Sequence, residues 1–274
     1  MPFRAICPLM DNALPEVKVV HVAERLGRVA ASIGNAVLDQ FYPPVCLACG
    51  TAIVATNALC ATCWRSLKPI TAPMCPRLGL PFAVSLGPDV LSAQAIADPP
   101  PFERARSAVI YNDLARAIVG RLKYADHPEL ARFCAQLMLS GCHDLLEGDA
   151  VLVPVPLHRG RQWRRRYNQS NQLVRALGQL SGLEIDPLVV ERRRRTRQQV
   201  GLTMSQRAKN VKGAFAVAED GLERICGRRV VLVDDVITTG ATVRALTLVL
   251  KRAGVEKVDV ASFARVVISP DDPI

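Results

Sequence analysis

Val230-Val-Leu-Val-Asp234-Asp235-Val-Ile-Thr238-Thr239-Gly240-Ala241-Thr242 is the stretch on which the fold reading turns. Its opening apolar run reads as a central strand, buried on both faces. Two acids stand at the carboxyl end of that strand, where open α/β sheets bind ligands. The Thr-Thr-Gly-Ala-Thr run then opens a helix. Small hydroxyl residues and a glycine expose backbone N–H groups at a helix N-terminus, which suits an anion. The acids cannot compete for the same phosphate, so they suit sugar hydroxyls or a metal. The pattern asks for a ligand with a phosphate at one end and a diol nearby, and a ribose 5-phosphate fits.

The same alternation runs outward from this stretch. Strands are predicted at 106–111, 150–155, 229–233 and Lys257–Arg265. Helices are predicted at 113–122, 130–146, 168–180 and 242–253. Continuous Val/Leu runs alternating with helices predict an α/β fold, a parallel sheet with flanking helices on both faces. Upstream, Val19, Val22, Leu26, Val29, Ile33 and Val37 recur at helical spacing between polar residues, so 16–39 reads as an amphipathic helix ended by Pro43-Pro44. Prolines at 69, 73, 76, 81, 88 and 99–101 predict irregular structure joining two domains. The expected organisation is an N-terminal extension over 1–40, a cysteine-rich domain with its Pro-rich connection over 41–105, and the α/β domain over 106–274.

The cysteines point to metal. Of nine in the chain, four fall as Cys46-Leu-Ala-Cys49, ten intervening residues, then Cys60-Ala-Thr-Cys63. Two residues between cysteines let one tight turn aim both sulfurs at one ion, and two such turns supply four thiolates. Four thiolates leave no open coordination position, so the predicted zinc is structural. Gly50 follows the first pair and can take the positive φ such a turn needs. Cys75 stands alone.

Charge is concentrated. The chain of 274 residues carries 35 Lys/Arg against 25 Asp/Glu, a net +10. Between His158 and Lys212 there are fourteen bases and three acids, so that segment holds +11 and the rest −1. A uniformly basic, histone-like chain is excluded, and one segment faces a polyanion. Half of the residues are hydrophobic, which excludes disorder. The longest uncharged run, 40–64, is interrupted by prolines and cysteines, so no membrane span is expected. The N-terminus shows no apolar signal region, and the expectation is a soluble cytoplasmic protein.

The Val230–Thr242 stretch resembles the 5-phosphoribosyl-1-pyrophosphate (PRPP) motif of type I phosphoribosyltransferases. Together with the cysteine pairs, Phe41-Tyr-Pro-Pro-Val-Cys46, Leu122-Lys123-Tyr124 and Asn168-Gln169, it resembles the competence protein F (ComF) family. That resemblance implies a small zinc ribbon followed by a type I phosphoribosyltransferase-like parallel sheet with flanking helices. It implies that Asp234 and Asp235 hold the ribose hydroxyls and, largely through water, Mg²⁺. It gives Thr238, Thr239, Gly240, Ala241 and Thr242 to the 5-phosphate. It puts Pro156, Leu157, His158 and Arg159 in the pyrophosphate loop, and Arg197, Gln199 and Arg207 in a loop that closes over the sugar. The family often carries a second cysteine pair beside Cys75, and here Leu78 stands in the partner's place.

Two functions follow from the resemblance. One is transfer of a phosphoribosyl group to a nitrogenous acceptor with release of pyrophosphate. The other is an accessory role in natural competence, gated by PRPP or a nucleotide, with single-stranded DNA and a competence DNA translocase as partners. Trp163 and Tyr167 among Arg161, Arg164, Arg165 and Arg166 form the aromatic–basic mixture that single strands favour. Arg192-Arg-Arg-Arg195 adds to that basic surface or forms a solvated loop.

Overall fold

The computed structural model describes residues 44–85, 87, 89–124, 128–157, 168–194 and 203–267. The helix expected at 16–39 and the aromatic–basic stretch at 161–167 lie outside them. Five strands form one parallel sheet, in the order β1 (Ala105–Ile110), β7 (Lys257–Arg265), β6 (Arg229–Ile237), β2 (Val151–Pro154), β3 (Glu184–Ile185). The Val/Leu runs alternate sides along each strand. Val231 and Val233 enter one core and Val230 and Leu232 the other.

The first core lies under α3 (Asp113–Tyr124), α4 (Pro128–Gly141) and α5 (Gln169–Ser181). The second lies under α8 (Ala241–Arg252), reinforced by α6 (Met204–Val211) and the antiparallel pair β4 (Val190–Arg192) and β5 (Phe215–Val217). Leu232, Leu246 and Phe263 are fully buried, each such side chain stabilising the fold by roughly 1.5–3 kcal/mol. The short helix α7 (Gly221–Ile225) leads into β6. Among the described residues no helix is long and apolar enough to cross a membrane.

Two expectations are corrected. β6 does not stop at Val233 but continues to Ile237, because β7 is equally long and pairs with it as far as Ile237↔Arg265. The helix predicted over 130–146 ends at Gly141, and a 3₁₀ turn at His143–Leu145 replaces its last turn.

The Pro-rich stretch is irregular for most of its length but is not featureless. It carries α2 (Ala93–Ala97) and a turn at 75–80 that copies the first cysteine turn. In the first, Cys46 N donates to Thr51 O at 2.8 Å and Gly50 N to Cys46 O at 3.0 Å. In the second, Cys75 N donates to Leu80 O at 2.8 Å and Gly79 N to Cys75 O at 2.8 Å. Gly50 and Gly79 both have positive φ, 78° and 64°. The repeat extends to the helices. Cys60 caps α1 (Ala61–Ser66) and its N–H reaches Cys46 Sγ at 3.2 Å. Ser92 caps α2 and its N–H reaches Cys75 Sγ at 3.3 Å. Leu78, Ser92 and Ala95 thus stand where Cys49, Cys60 and Cys63 stand in the first lobe.

The two lobes grip opposite faces of the sheet. Cys46, Ala48 and Leu67 join the first core, and Cys75, Leu78 and Ala95 the second. The link between them runs along β1, with Ile70 N donating to Ala108 O and Ile110 N to Lys68 O. It covers an edge that would otherwise expose unpaired backbone groups.

Candidate functional site

The acids of the deciding stretch lie within β6, and different elements hold each of them. Asp234 is half-buried, and its Oδ1 accepts from Ser170 Oγ at 3.2 Å and from Asp235 N at 2.9 Å. Burial, and then repulsion from Asp235, push its carboxyl up to about 8. Asp235 faces a cation, with Lys123 Nζ of α3 at 3.1 Å from its Oδ2.

Beyond β6 the chain turns at Thr238, Thr239 and Gly240 into α8. Gly240 is the N-cap with φ 76°, a conformation costly to any residue bearing a Cβ. Thr239 Oγ1 is shielded from water and meets no hydrogen-bond partner among the described residues. Arg207 of α6 donates from Nη1 to Thr238 Oγ1 at 2.7 Å. A guanidinium, a threonine loop and a helix N-terminus therefore converge, an arrangement that suits a phosphate.

The start of α5 ties this region to the loop after β2. Asn168 caps α5 through Ser170 N at 3.1 Å and donates from Nδ2 to Val155 O at 3.1 Å. Gln169 is 2% exposed, yet its Nε2 has no partner among the described residues. These groups surround one cavity of about 300 Å³. Pro156 and Leu157 line it from β2, and Thr238, Gly240, Ala241 and Thr242 from the loop and α8. Tyr111 and Lys123 close it from the α3 side, and Arg192 and Arg207 from the side of β4 and α6. Arg192 is 8% exposed, and its guanidinium lies 5.2 Å from the Phe215 ring centroid.

Most of the expected pocket residues thus meet in one place: Asp234, Asp235, Thr238, Gly240, Ala241, Thr242, Pro156, Leu157 and Arg207. Thr239 adjoins them in the same turn. Arg207, expected in a loop over the sugar, is carried by α6 against the threonine loop. His158, Arg159, Arg197 and Gln199 lie outside the described residues. The sequence reading assigned no role to Lys123, Gln169, Ser170 or Tyr111. Arg192, expected on a basic surface or in a solvated loop, is instead the last residue of β4, buried against Phe215 and lining the cavity. Lys123 and Gln169 stand inside short quoted elements, but nothing local says what they face.

The second centre is the first lobe. The ligand sulfurs of Cys46, Cys49, Cys60 and Cys63 lie within 4.8 Å of one another. Cys49 and Cys60 are 3.8 Å apart, and a zinc tetrahedron with Zn–S near 2.3 Å has edges of about 3.8 Å. Burial opposes the Cys46 thiolate, but N–H groups from Cys49, Cys60 and Ala48 outweigh it and bring Cys46 down to about 6. Thr51 lowers Cys49. Burial and the neighbouring sulfurs raise Cys63, as expected of four crowded thiols awaiting one dication. The donor set fits a structural zinc. α1 has no buried residue of its own, so packing does not substitute for the metal there.

Comparison with known proteins agrees with this layout. Residues 37–95 match the double zinc ribbon domain and residues 170–273 the phosphoribosyl transferase domain. The chain is 31% identical over 235 residues to Competence protein F of Haemophilus influenzae, covering 82% of this chain and 99% of that one. It is 30% identical over 229 residues to the DNA utilization protein YhgH of Salmonella typhimurium, covering 81% and 97%. A solved hypoxanthine phosphoribosyltransferase from Staphylococcus aureus superposes with a TM-score of 0.31 at 15% identity, over 60% of this chain and 85% of that one. A double zinc ribbon, a parallel sheet with a phosphoribosyltransferase domain, and relatives matched almost end to end place this chain in the competence protein F family.

Proposed function

We propose that the cavity binds PRPP with Mg²⁺ and transfers its phosphoribosyl group to a nitrogenous acceptor, releasing pyrophosphate. The observation that carries this reading is the convergence, in one cavity, of an acid pair and a phosphate-suited turn. Thr238 to Thr242, with Arg207, receive the 5-phosphate. The Thr239 hydroxyl, without a partner among the described residues, gains an acceptor when a phosphate oxygen enters. Asp234 and Asp235 accept from the ribose hydroxyls and would hold Mg²⁺ largely through water. Two carboxylates in one cavity are a donor set that hard dication takes. The metal would neutralise charge on the leaving pyrophosphate.

The transfer balances simply. The acceptor nitrogen attacks C1, the C1–O bond breaks, and pyrophosphate leaves with the electron pair. The nitrogen then loses a proton to solvent or base. Pro156 and Leu157 line the side where the pyrophosphate would lie, continuing toward His158 and Arg159. Ser170 and Asn168 position this machinery from α5, one through Asp234 and one through Val155.

Titration calorimetry with Mg²⁺-PRPP, joined to a pyrophosphate-release assay over candidate bases, tests the reading. Binding is expected in the parent and lost in the Asp234→Ala/Asp235→Ala double variant. Absence of binding in the parent overturns it.

A second reading, an accessory role in competence with single-stranded DNA as partner, draws support from the +11 segment at 158–212. The names of the relatives point the same way. It predicts single-strand affinity that falls steeply with salt. Charge reversal at Arg193 and Arg194, both exposed, with unchanged affinity overturns it.

A further inference from the structure

Three consecutive residues near the end of α3 point three ways. Arg121 Nη1 donates to Leu47 O at 3.2 Å, inside the first cysteine turn. Leu122 is fully buried in the core that also holds Cys46 and Ala48. Lys123 reaches the cavity and meets Asp235 at 3.1 Å. Successive helical residues are rotated by about 100°, so one turn serves the zinc lobe, the core and the pocket together.

The Lys123–Asp235 pair is well shielded, with the lysine side chain 31% and the aspartate side chain 15% exposed. An ammonium seated there competes with any divalent cation for the same carboxylate. On Asp234, Ser170 Oγ and Asp235 N both donate to Oδ1, so a metal using both acids would meet Asp234 through its other oxygen and Asp235 in place of Lys123. A metal arriving alone must displace Lys123 and leave it without a counter-charge. A metal arriving with a polyphosphorylated ligand brings that counter-charge along.

We propose that Lys123 is a positioning residue, the internal counter-ion of the acid pair, which couples metal binding to anion binding; Arg121 seats it from the zinc lobe. The coupling rests on the reading of the cavity as a Mg²⁺–phosphoribosyl pocket, whereas the competition between Lys123 and a bare metal does not.

The test uses the full zinc-loaded chain and Mn²⁺ as probe, with free Mn²⁺ read by electron paramagnetic resonance and folding checked by thermal melting. Without PRPP, Lys123→Met is expected to bind Mn²⁺ about tenfold tighter than the parent, and Lys123→Arg to bind it as weakly as the parent. A purely structural lysine would not raise metal affinity when removed. Arg121→Met is expected to shift Mn²⁺ affinity the same way by a smaller factor. PRPP should tighten Mn²⁺ binding in the parent and do so at least about fivefold less in Lys123→Met. Unchanged or weaker Mn²⁺ binding by a folded Lys123→Met overturns the proposal. If that variant gains Mn²⁺ affinity while PRPP changes nothing in either protein, the counter-ion role stands and the phosphoribosyl reading fails.

Discussion

The two N-terminal lobes have one backbone design and two ways of holding it. In the first, four cysteines surround a point from which a metal would bind them all. Cys49 is exposed there, and Cys60 and Cys63 are only half-buried. In the second, Cys75 is the one cysteine, and Leu78, Ser92 and Ala95 take the other three places. Leu78 is 2% and Ala95 3% exposed, packed with Phe102 and Ala105 in the sheet's second core. The α/β domain grips each turn by a carbonyl: Arg121 holds Leu47 O, and Arg265 holds Leu78 O at 2.6 Å. The comparison teaches that a zinc-type turn can persist without its ligands once apolar burial replaces coordination. The lobe that lacks such burial still has all four thiolates.

The largest effect that could break the comparison is removal of metal. Structural zinc in small domains contributes apparent binding energies of about 10–16 kcal/mol. Elemental analysis should find one zinc per chain. Under a strong chelator, hydrogen exchange should rise over the first lobe while the second stays protected. Two zincs per chain, or equal loss of protection, would sink the contrast.

Rebuilding the lost ligands inverts the comparison. Leu78→Cys, Ser92→Cys and Ala95→Cys together complete a set with Cys75, and zinc content should rise by one equivalent. No rise would mean that the second lobe has drifted from coordination geometry.

Smaller changes sharpen the contrast. Leu78→Ala should cost about 3 kcal/mol in urea unfolding and leave zinc content unchanged, because it opens a cavity in the second core. Cys49→Ala should do the reverse and release zinc.

The smallest expected difference is between the two glycines. A Cβ on Gly79 would meet Ala105 O at 2.4 Å, a backbone atom. On Gly50 it would meet only Arg121 Nη2, at 3.3 Å, the movable end of a side chain. Both substitutions carry positive-φ strain, so each should cost about 1 kcal/mol, and Gly79→Ala at least about 1 kcal/mol more. Thermal melts of the zinc-loaded protein would show equal losses if the second turn were not pressed against β1.

Much of the fold was legible along the chain. The run Val230–Val233 could only be a doubly covered strand, and β7 was read with its bounds unchanged. The elements that were not read are short or locally weak. β3 has two residues and β4 and β5 three each, below the length at which alternation becomes a pattern. α6 announces itself only through the Thr203–Gln206 capping box. Of the second lobe, the sequence singled out only Cys75 and Leu78; Ser92 and Ala95 carry no metal signature, although their backbone repeats that of the cysteines.

The sequence by itself determined the parallel sheet, the acid pair, the phosphate-suited turn and the four-thiolate cluster. Each is written within a few residues, where periodicity and spacing act locally. Tertiary structure alone decided that Ser170 would hold Asp234, that Lys123 would hold Asp235, and that Arg207 would reach Thr238. It also decided that an arginine of α3 would tie the zinc lobe to the helix that delivers Lys123. Those contacts join residues from 31 to 112 positions apart. They depend on how helices seat on the sheet, and a linear pattern of residues does not encode that seating.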